Sequence, residues 1–371
     1  MSRTIVDVHI LQTVPPSNLN RDDTGSPKTA IYGGVRRARV SSQAWKRAVR
    51  LSFKDLLSKD DLGERTKRVG EAIAALITQQ APDLAEQAPE LAAGVLKAAG
   101  IVTKEPKGGG PAESGYLLFL SRRQQENLAK AAVDAARAGS TPDPKLAKAL
   151  ANRDHSVDIA MFGRMVADVT DINVDAAVQV AHAISVHAVD TEFDYFTAVD
   201  DRKEDAQETG AGMIGTVEFN SSTLYRYAAI DVDRLQETLG NVDATRRAVE
   251  AFLTAFATSM PSGKQNTFAN RTLPDAVMVR LRRTQPVNLV GAFETPVRAG
   301  EASGRVREAA EALARYTQDV EQAYGDAPVD AWVTHVGERT QALATVGKAV
   351  TFPELVAAVG SQVAIRLGGS A

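Results

Sequence analysis

LNRDDTGSPKTAIYGGVRRARVSSQAWKRAVR, residues 19–50, joins a loop, a strand and the start of a helix, and the rest of the chain is organised around it. Gly25, Pro27, Gly33 and Gly34 mark a loop that Pro15 and Pro16 open. Residues 35–40 read as a short strand. Ser41 or Ser42 then caps a helix running to about Ser58, with Trp45, Val49 and Leu56 on its apolar side. From Lys28 to Lys54 there are eight basic residues (Lys28, Arg36, Arg37, Arg39, Lys46, Arg47, Arg50, Lys54) and no acid. Even spreading of the chain's 43 basic and 46 acidic residues would put about three of each there. Lys46, Arg50 and Lys54 recur every fourth residue and form one helical stripe. The start at Ser41, Ser42 and Gln43 offers hydroxyls, backbone N–H groups and the positive end of the helix dipole, which together make an anion site. Phosphate suits a row of such cations. A solvated basic face is the plainer alternative, but the missing acids and the helix start inside the run favour phosphate.

Working outward, residues 4–11 (TIVDVHIL) read as a strand buried on both faces. From about 60 to 151 alanine dominates, with a flexible KEPKGGGPAESG loop at 104–115, and the block looks like a helical insertion. Residues 174–189 suggest an amphipathic helix, followed by a polar, acidic segment from 190 to 215. Residues 216–230 and 276–283 read as strands, and 243–259, 305–324 and 353–367 as helices. Without the insertion the order is strand, helix, helix, strand, helix, strand. This α+β pattern is compatible with a ferredoxin-like or RNA-recognition-motif-like sandwich, although the strand beside the second helix is unassigned.

Composition limits the possibilities. Hydrophobic residues make up 44% and charged residues 24%, which is ordinary for a soluble globular chain. A net charge of −3 means that any polyanion site must be local. The absence of cysteine excludes disulfides, thiol nucleophiles and cysteine-ligated metals. No secretory signal or membrane-length apolar run is visible, so the expected location is cytoplasmic.

A second polar patch, Gly263, Lys264, Gln265, Asn266 and Arg271, could contact phosphate or ribose, although by itself it is more simply a turn. Arg280, Arg282 and Arg283 look like the charged edge of a strand. The acidic run Asp190, Glu192, Asp194, Asp200, Asp201, Glu204, Asp205 and Glu208 could be imagined as a metal site, but it reads as a mobile polar loop, too loose to fix a metal. His182 and His187 stand five apart on the expected helix, and His9 and His155 lack triad partners. With no phosphate-binding glycine loop, nucleophile elbow or dinucleotide fingerprint, the expectation is no enzyme, no metal and no cofactor.

Residues 19–50 closely resemble the signature of the type I-E CRISPR Cascade backbone subunit, the CasC family. So do VDIAMFGRM (157–165), VQVAHAISVHAVDTEFDYFTAVDD (178–201), GTVEFNSSTLYRYA (215–228) and PSGKQNTFA (261–269), in the same order. The resemblance implies a hand: an RNA-recognition-motif-like palm (1–59 and 220–371, with a helix end at 178–189), helical fingers (60–177) and a thumb (190–219). It implies that copies stack head to tail on one CRISPR RNA, with other Cascade subunits and, through the guide, target DNA as partners, and no membrane. The palm motif falls on Asn20, Arg21, Lys28, Arg39, Ser41, Ser42, Gln43, Lys46 and Arg50, joined by Gly263, Lys264 and Gln265. Arg164 and Met165 fall on a base-wedging motif, and Phe196 and Thr197 on the thumb residues that displace a base. A guide carrier should hold backbone and leave base edges free, and the stacking-aromatic signature of the recognition motif is absent. A metal-dependent or His9-based RNA nuclease and a general single-strand binder are the alternatives.

Overall fold

The computed structural model describes residues 3–105, 112–166, 169–198, 213–300 and 304–368. Two compact units emerge: Met1–Ser52, Val180–Ala229 and Phe252–Val363 form the first, and Phe53–Gln179, Ile230–Ala251 and Ala364–Ala371 the second.

A mixed sheet dominates. Its strands are β1 (Ile5–Ser17), β2 (Thr29–Tyr32), β3 (Val35–Val40), β4 (Val178–Val180), β5 (Ala183–Ser185), β6 (Glu192–Ala198), β7 (Met213–Asp231), β8 (Ala276–Arg282), β9 (Asp330–His335) and β10 (Lys348–Ala349). The order is β10-β9-β8-β1-β7-β5-β3-β2, and β6 and β4 also pair with β7. β1 and β8 run antiparallel from Ile5 opposite Arg282 to Leu11 opposite Ala276. β1 is longer than the sequence suggests. It continues through Pro15 and Pro16, beyond the residues paired with β8, where the missing proline donors break no bond to that neighbour.

The expected helix at 174–189 is not formed. That segment holds β4 and β5, and β7 takes its backbone donors: Ala181 N–H donates to the Tyr227 carbonyl (3.0 Å) and Val186 N–H to that of Thr223 (2.9 Å). Five valines and an isoleucine favour the pleated state, and Ala183, Ile184, Ser185 and Val186 are buried in succession, as in a strand covered on both sides. Residues 192–198, expected in a mobile loop, are also a strand, antiparallel to β7 from Glu192 opposite Phe219 to Ala198 opposite Met213. Asp200, Asp201, Glu204, Asp205 and Glu208 lie outside the described residues, as do 106–111 of the expected flexible loop.

The arginines of β8 do not line an edge. β8 lies between β1 and β9, and Arg280 and Arg282 are each only 1% exposed. Arg282 pairs with Asp7 at 2.9 Å and Asp326 at 3.2 Å, and Arg280 pairs with Glu321 and donates to the Val346 carbonyl. Asp7 also accepts from Tyr227 (2.7 Å) and from the Val287 N–H (3.1 Å). Burial outweighs these partners and pushes the Asp7 carboxyl up to about 6. The apolar core beside this network includes Leu11, Tyr225, Met278, Phe293, Leu313 and Val333.

In the second unit, helices Val69–Gln80, Ala88–Ala98, Arg122–Arg137 and Pro144–Ala151 enclose a core that includes Ile73, Ile77, Leu96, Leu128 and Leu150. Ser121 opens Arg122–Arg137 with a capping box to Gln124. Residues 230–251 also belong to this unit: Asp231 N–H donates to the Ala177 carbonyl (2.8 Å) and Arg234 pairs with Asp175 (3.5 Å).

Candidate nucleic-acid interface

Ser41 is the cap of the basic helix. Its hydroxyl accepts from the Ala44 N–H at 3.3 Å, and its own N–H donates to the Asn20 side-chain carbonyl at 2.9 Å. The Asn20 backbone carbonyl accepts from the Lys28 N–H, and the Lys28 carbonyl from the Arg39 N–H, both at 2.9 Å. Asn20, Lys28, Arg39 and Ser41 are therefore joined through the backbone at the start of helix Ser42–Leu56.

The helix orientation follows from its other side. Trp45, Ala48, Val49 and Phe53 are buried. The Arg226 guanidinium lies 3.7 Å from the Trp45 ring centre and 4.5 Å from that of Phe256, and it donates to the Gln12 side chain and the Phe256 carbonyl. With that face fixed, Lys46 and Arg50 are half-buried, and Gln43, Arg47 and Lys54 are exposed. Partial burial holds the Lys46 amine below its ordinary range. Arg37 differs from its neighbours in the basic run. It is 0% exposed, and its guanidinium donates to the carbonyls of Tyr32, Ser185, Phe293 and Glu294.

The Pro261 patch packs against the palm motif rather than turning away from it. A Cβ on Gly263 would stand 2.3 Å from the Leu19 carbonyl oxygen, so only glycine permits that approach. Lys264 follows with φ 49°, and Asn18 donates to the carbonyls of Gly25 (3.0 Å) and Glu218 (2.9 Å). Phe268 meets Phe219, at the base of the β6–β7 hairpin, with centroids 5.7 Å apart. Gly263, Asn20 and Arg21 line one open pocket of about 530 Å³. Lys264 and Gln265 are half-buried beside it in sequence.

On the hairpin, Phe196 stands opposite Gly215, and a Cβ there would fall 2.3 Å from the ring. Phe196 is 38% exposed, and Thr197 is also exposed. Phe193 and Tyr195, at 66% and 63%, occupy alternate positions and so point to the other face.

Within the second unit, Met165 is 88% exposed between buried Arg164 and buried Val166. Arg164, implied as an RNA contact, is buried at 4% exposure. Its five donors reach the carbonyls of Ile172 (2.7 Å), Phe119 (3.1 Å) and Ala151 (2.9 Å) and the side-chain oxygens of Gln124 and Asn152 (both 3.2 Å). A guanidinium has no further N–H to offer. A two-bond bridge between Arg164 and Val174 and the φ of 76° at Gly163 fix the turn that presents Met165.

Sequence reasoning missed His182. It lies in the turn between β4 and β5, exposed, with Nδ1 3.2 Å from Arg39 Nη1. Helical spacing hid it, because its place follows only from strand register. His9, by contrast, is 1% exposed and hydrogen-bonded to Tyr225 at 2.9 Å. Glu192 and Asp194 are exposed, and among the described residues no three His, Asp or Glu side chains gather to hold a metal ion. No described helix is long and apolar enough to cross a membrane.

The solved structures similar to the chain include two from CRISPR surveillance complexes. One, a chain of a "CRISPR RNA-guided surveillance complex, pre-nicking", matches with a TM-score of 0.84 and 35% identity over 97% of this chain and 100% of that one. Another, from a "CRISPR RNA-guided surveillance complex", gives a TM-score of 0.76 and 31% identity over 96% and 99%. No curated protein sequence matches. The CT1975-like protein family matches residues 6–358. With nearly its whole length covered at these identities, the chain belongs to the CT1975-like family, that of the CRISPR Cascade backbone subunits.

Proposed function

We propose that this chain grips the sugar-phosphate backbone of CRISPR RNA and stacks head to tail with further copies along it, forming the backbone of a type I-E Cascade complex. Other Cascade subunits join the assembly, and the guide bases are left free to pair with target DNA. The observation that carries this reading is the convergence of Asn20, Lys28, Arg39 and Ser41 at the start of a helix whose outer face holds Lys46 and Arg50. These are backbone-type ligands, cations and a capped helix start, with no base-reading amide pair among them. The palm reading gains support from the elements around the insertion: strand β1, helix Ser42–Leu56, strands β5 and β7, helix Val242–Thr258 and strand β8, in sheet order β8-β1-β7-β5. That is the ferredoxin-like strand–helix–strand–strand–helix–strand pattern. Hairpin β6–β7, with Phe196 on one face and Phe193 and Tyr195 on the other, serves as the thumb, and a neighbouring copy covers its exposed aromatics. Met165 wedges against a base from the fingers. The role is non-catalytic and cytoplasmic.

The test is the mass of the purified protein with and without co-purified RNA, together with RNA cleavage. A ribonucleoprotein of several copies on one RNA of defined length, with no cleavage, is expected. A monomer free of RNA sinks the assembly reading. Cleavage lost in the Asp190→Asn/Glu192→Gln/Asp194→Asn variant sinks the non-enzyme reading.

A further inference from the structure

β5 pairs with β3 so that Arg39 faces Ile184 and Val40 faces Ala183. The next antiparallel step sets His182 opposite Ser41, the cap of the basic helix. The Arg39 side chain is anchored from behind, its Nε donating to the Thr29 carbonyl at 3.1 Å. Its Nη1 lies 3.2 Å from His182 Nδ1. A guanidinium can only donate, so Nδ1 carries the lone pair and the imidazole proton sits on Nε2. Burial, then the charges of Arg39 and Lys28, hold His182 below the ordinary histidine range, which keeps the ring neutral. Arg39 thus fixes both the tautomer and the tilt of an exposed ring whose remaining N–H has no acceptor among the described residues. This is how a second partner orients a working histidine.

We propose that His182 is an RNA contact of the palm, donating its Nε2–H to an oxygen of the sugar-phosphate strand that Lys28 and Arg39 neutralise. The inference rests on the RNA-gripping reading above and adds a ligand of a different kind. The cations bind by displacing counterions, so their contribution fades with salt. A neutral N–H displaces none, so its contribution is independent of salt, and it can address either a phosphate oxygen or the ribose 2′ oxygen.

The experiment titrates full-length protein with a synthetic single-stranded RNA, and with the same strand carrying 2′-deoxyribose, across a range of salt. His182→Phe keeps the ring's bulk and loses the donor, and His182→Gln keeps a side-chain N–H. His182→Phe is expected to weaken RNA binding about three- to tenfold at every salt, with an unchanged slope of log affinity against log salt. Lys28→Ala is expected to flatten that slope by roughly 0.7. His182→Gln should recover part of the loss, with all melting temperatures close to wild type. A penalty confined to RNA assigns the 2′ oxygen as acceptor, and an equal penalty on both strands assigns phosphate. Wild-type affinity for His182→Phe, a slope as flattened as that of Lys28→Ala, or a glutamine variant as weak as phenylalanine overturns the inference. If Lys46→Ala/Arg50→Ala also binds like wild type, the RNA-gripping reading itself fails. If His182→Phe alone is silent, only this inference does.

Discussion

Helix Ser42–Leu56 and strand β8 both concentrate cations, and they use them in opposite ways. On the helix, Lys54 is exposed and Lys46 and Arg50 are half-buried, and no acid occupies the first turn. On β8, Arg280 and Arg282 are buried and matched by Glu321, Asp7 and Asp326. Cations on an acid-poor outer face repel one another and gain most when a polyanion arrives. Buried cations are already committed, and their cost appears only when a partner is removed. The basic run itself contains both kinds, with Arg37 holding four carbonyls beside the exposed Arg36. A count of positive charge in a sequence is therefore an upper limit on what a ligand can meet.

The sharpest way to break this contrast is Arg282→Met, which strands the buried Asp7 carboxylate. A loss of about 3–5 kcal/mol is expected in denaturant unfolding, and Asp7→Leu/Arg282→Met should recover much of it. A smaller loss for the single variant than for the pair would show that the buried cation is dispensable. Next, Arg164→Ala leaves several oxygens in the second unit without donors and should cost about 2–4 kcal/mol by the same measurement. Little loss there would revive Arg164 as a surface contact. On the basic helix, Lys46→Ala/Arg50→Ala should unfold within about 1 kcal/mol of wild type. Its RNA affinity should fall for all sequences alike, with the salt slope flattened by roughly 0.7 per contact. An unchanged slope would remove the helix from the binding face.

Acid should expose the buried side further. His187 Nε2 accepts from the Thr223 N–H and Nδ1 donates to the Ala188 carbonyl, so the native ring is neutral. Its pKa is lowered to about 4 by burial and by Arg305 and Arg37, and that of His155 to about 4 by burial and Arg164. The unfolded chain takes up these protons from pH 6.5 downward and the folded chain does not, so both contributions to stability are lost between about pH 6.5 and 4. Asp7, raised to about 6, keeps its proton in the folded state and works in the opposite sense over part of that window. A melting temperature that falls from pH 6.5 to 4, less steeply in His187→Gln, is expected in thermal scans. An identical slope in the variant would assign the loss elsewhere. The smallest effect is expected at Met165→Ala and Phe196→Ala, within about 1 kcal/mol in RNA-free melting. Their consequence should appear in chemical probing of the assembled complex, as blurred periodicity of exposed bases. A large melting loss with intact periodicity would make them ordinary packing residues.

Local signals decided what could be anticipated. The capped helix, its basic stripe and its apolar face were legible because each depends on spacing within one element, as Ser41, Lys46, Arg50 and Trp45 illustrate. The 178–189 segment misleads because alternating small and branched residues match helical and extended periods alike, and only β7, some 40 residues later, decides between them. Arg164, Arg280 and Arg282 were misjudged for a related reason: the carbonyls and carboxylates that satisfy them come from distant chain segments. His182 became visible only once β3 and β5 were in register.

β7 carries a further consequence. Residues 213–219 build the hairpin and 224–229 lie in the core, within one continuous strand. Side chains alternate faces with a period of two, so the two regions share a parity. Losing or gaining one residue between Phe219 and Leu224 would leave Tyr225 and Tyr227 in place and turn the hairpin over. Phe193 and Tyr195 would then stand where Phe196 stands now. Among related chains, length changes in this stretch should therefore come in twos, a rule that substitution data alone would never reveal.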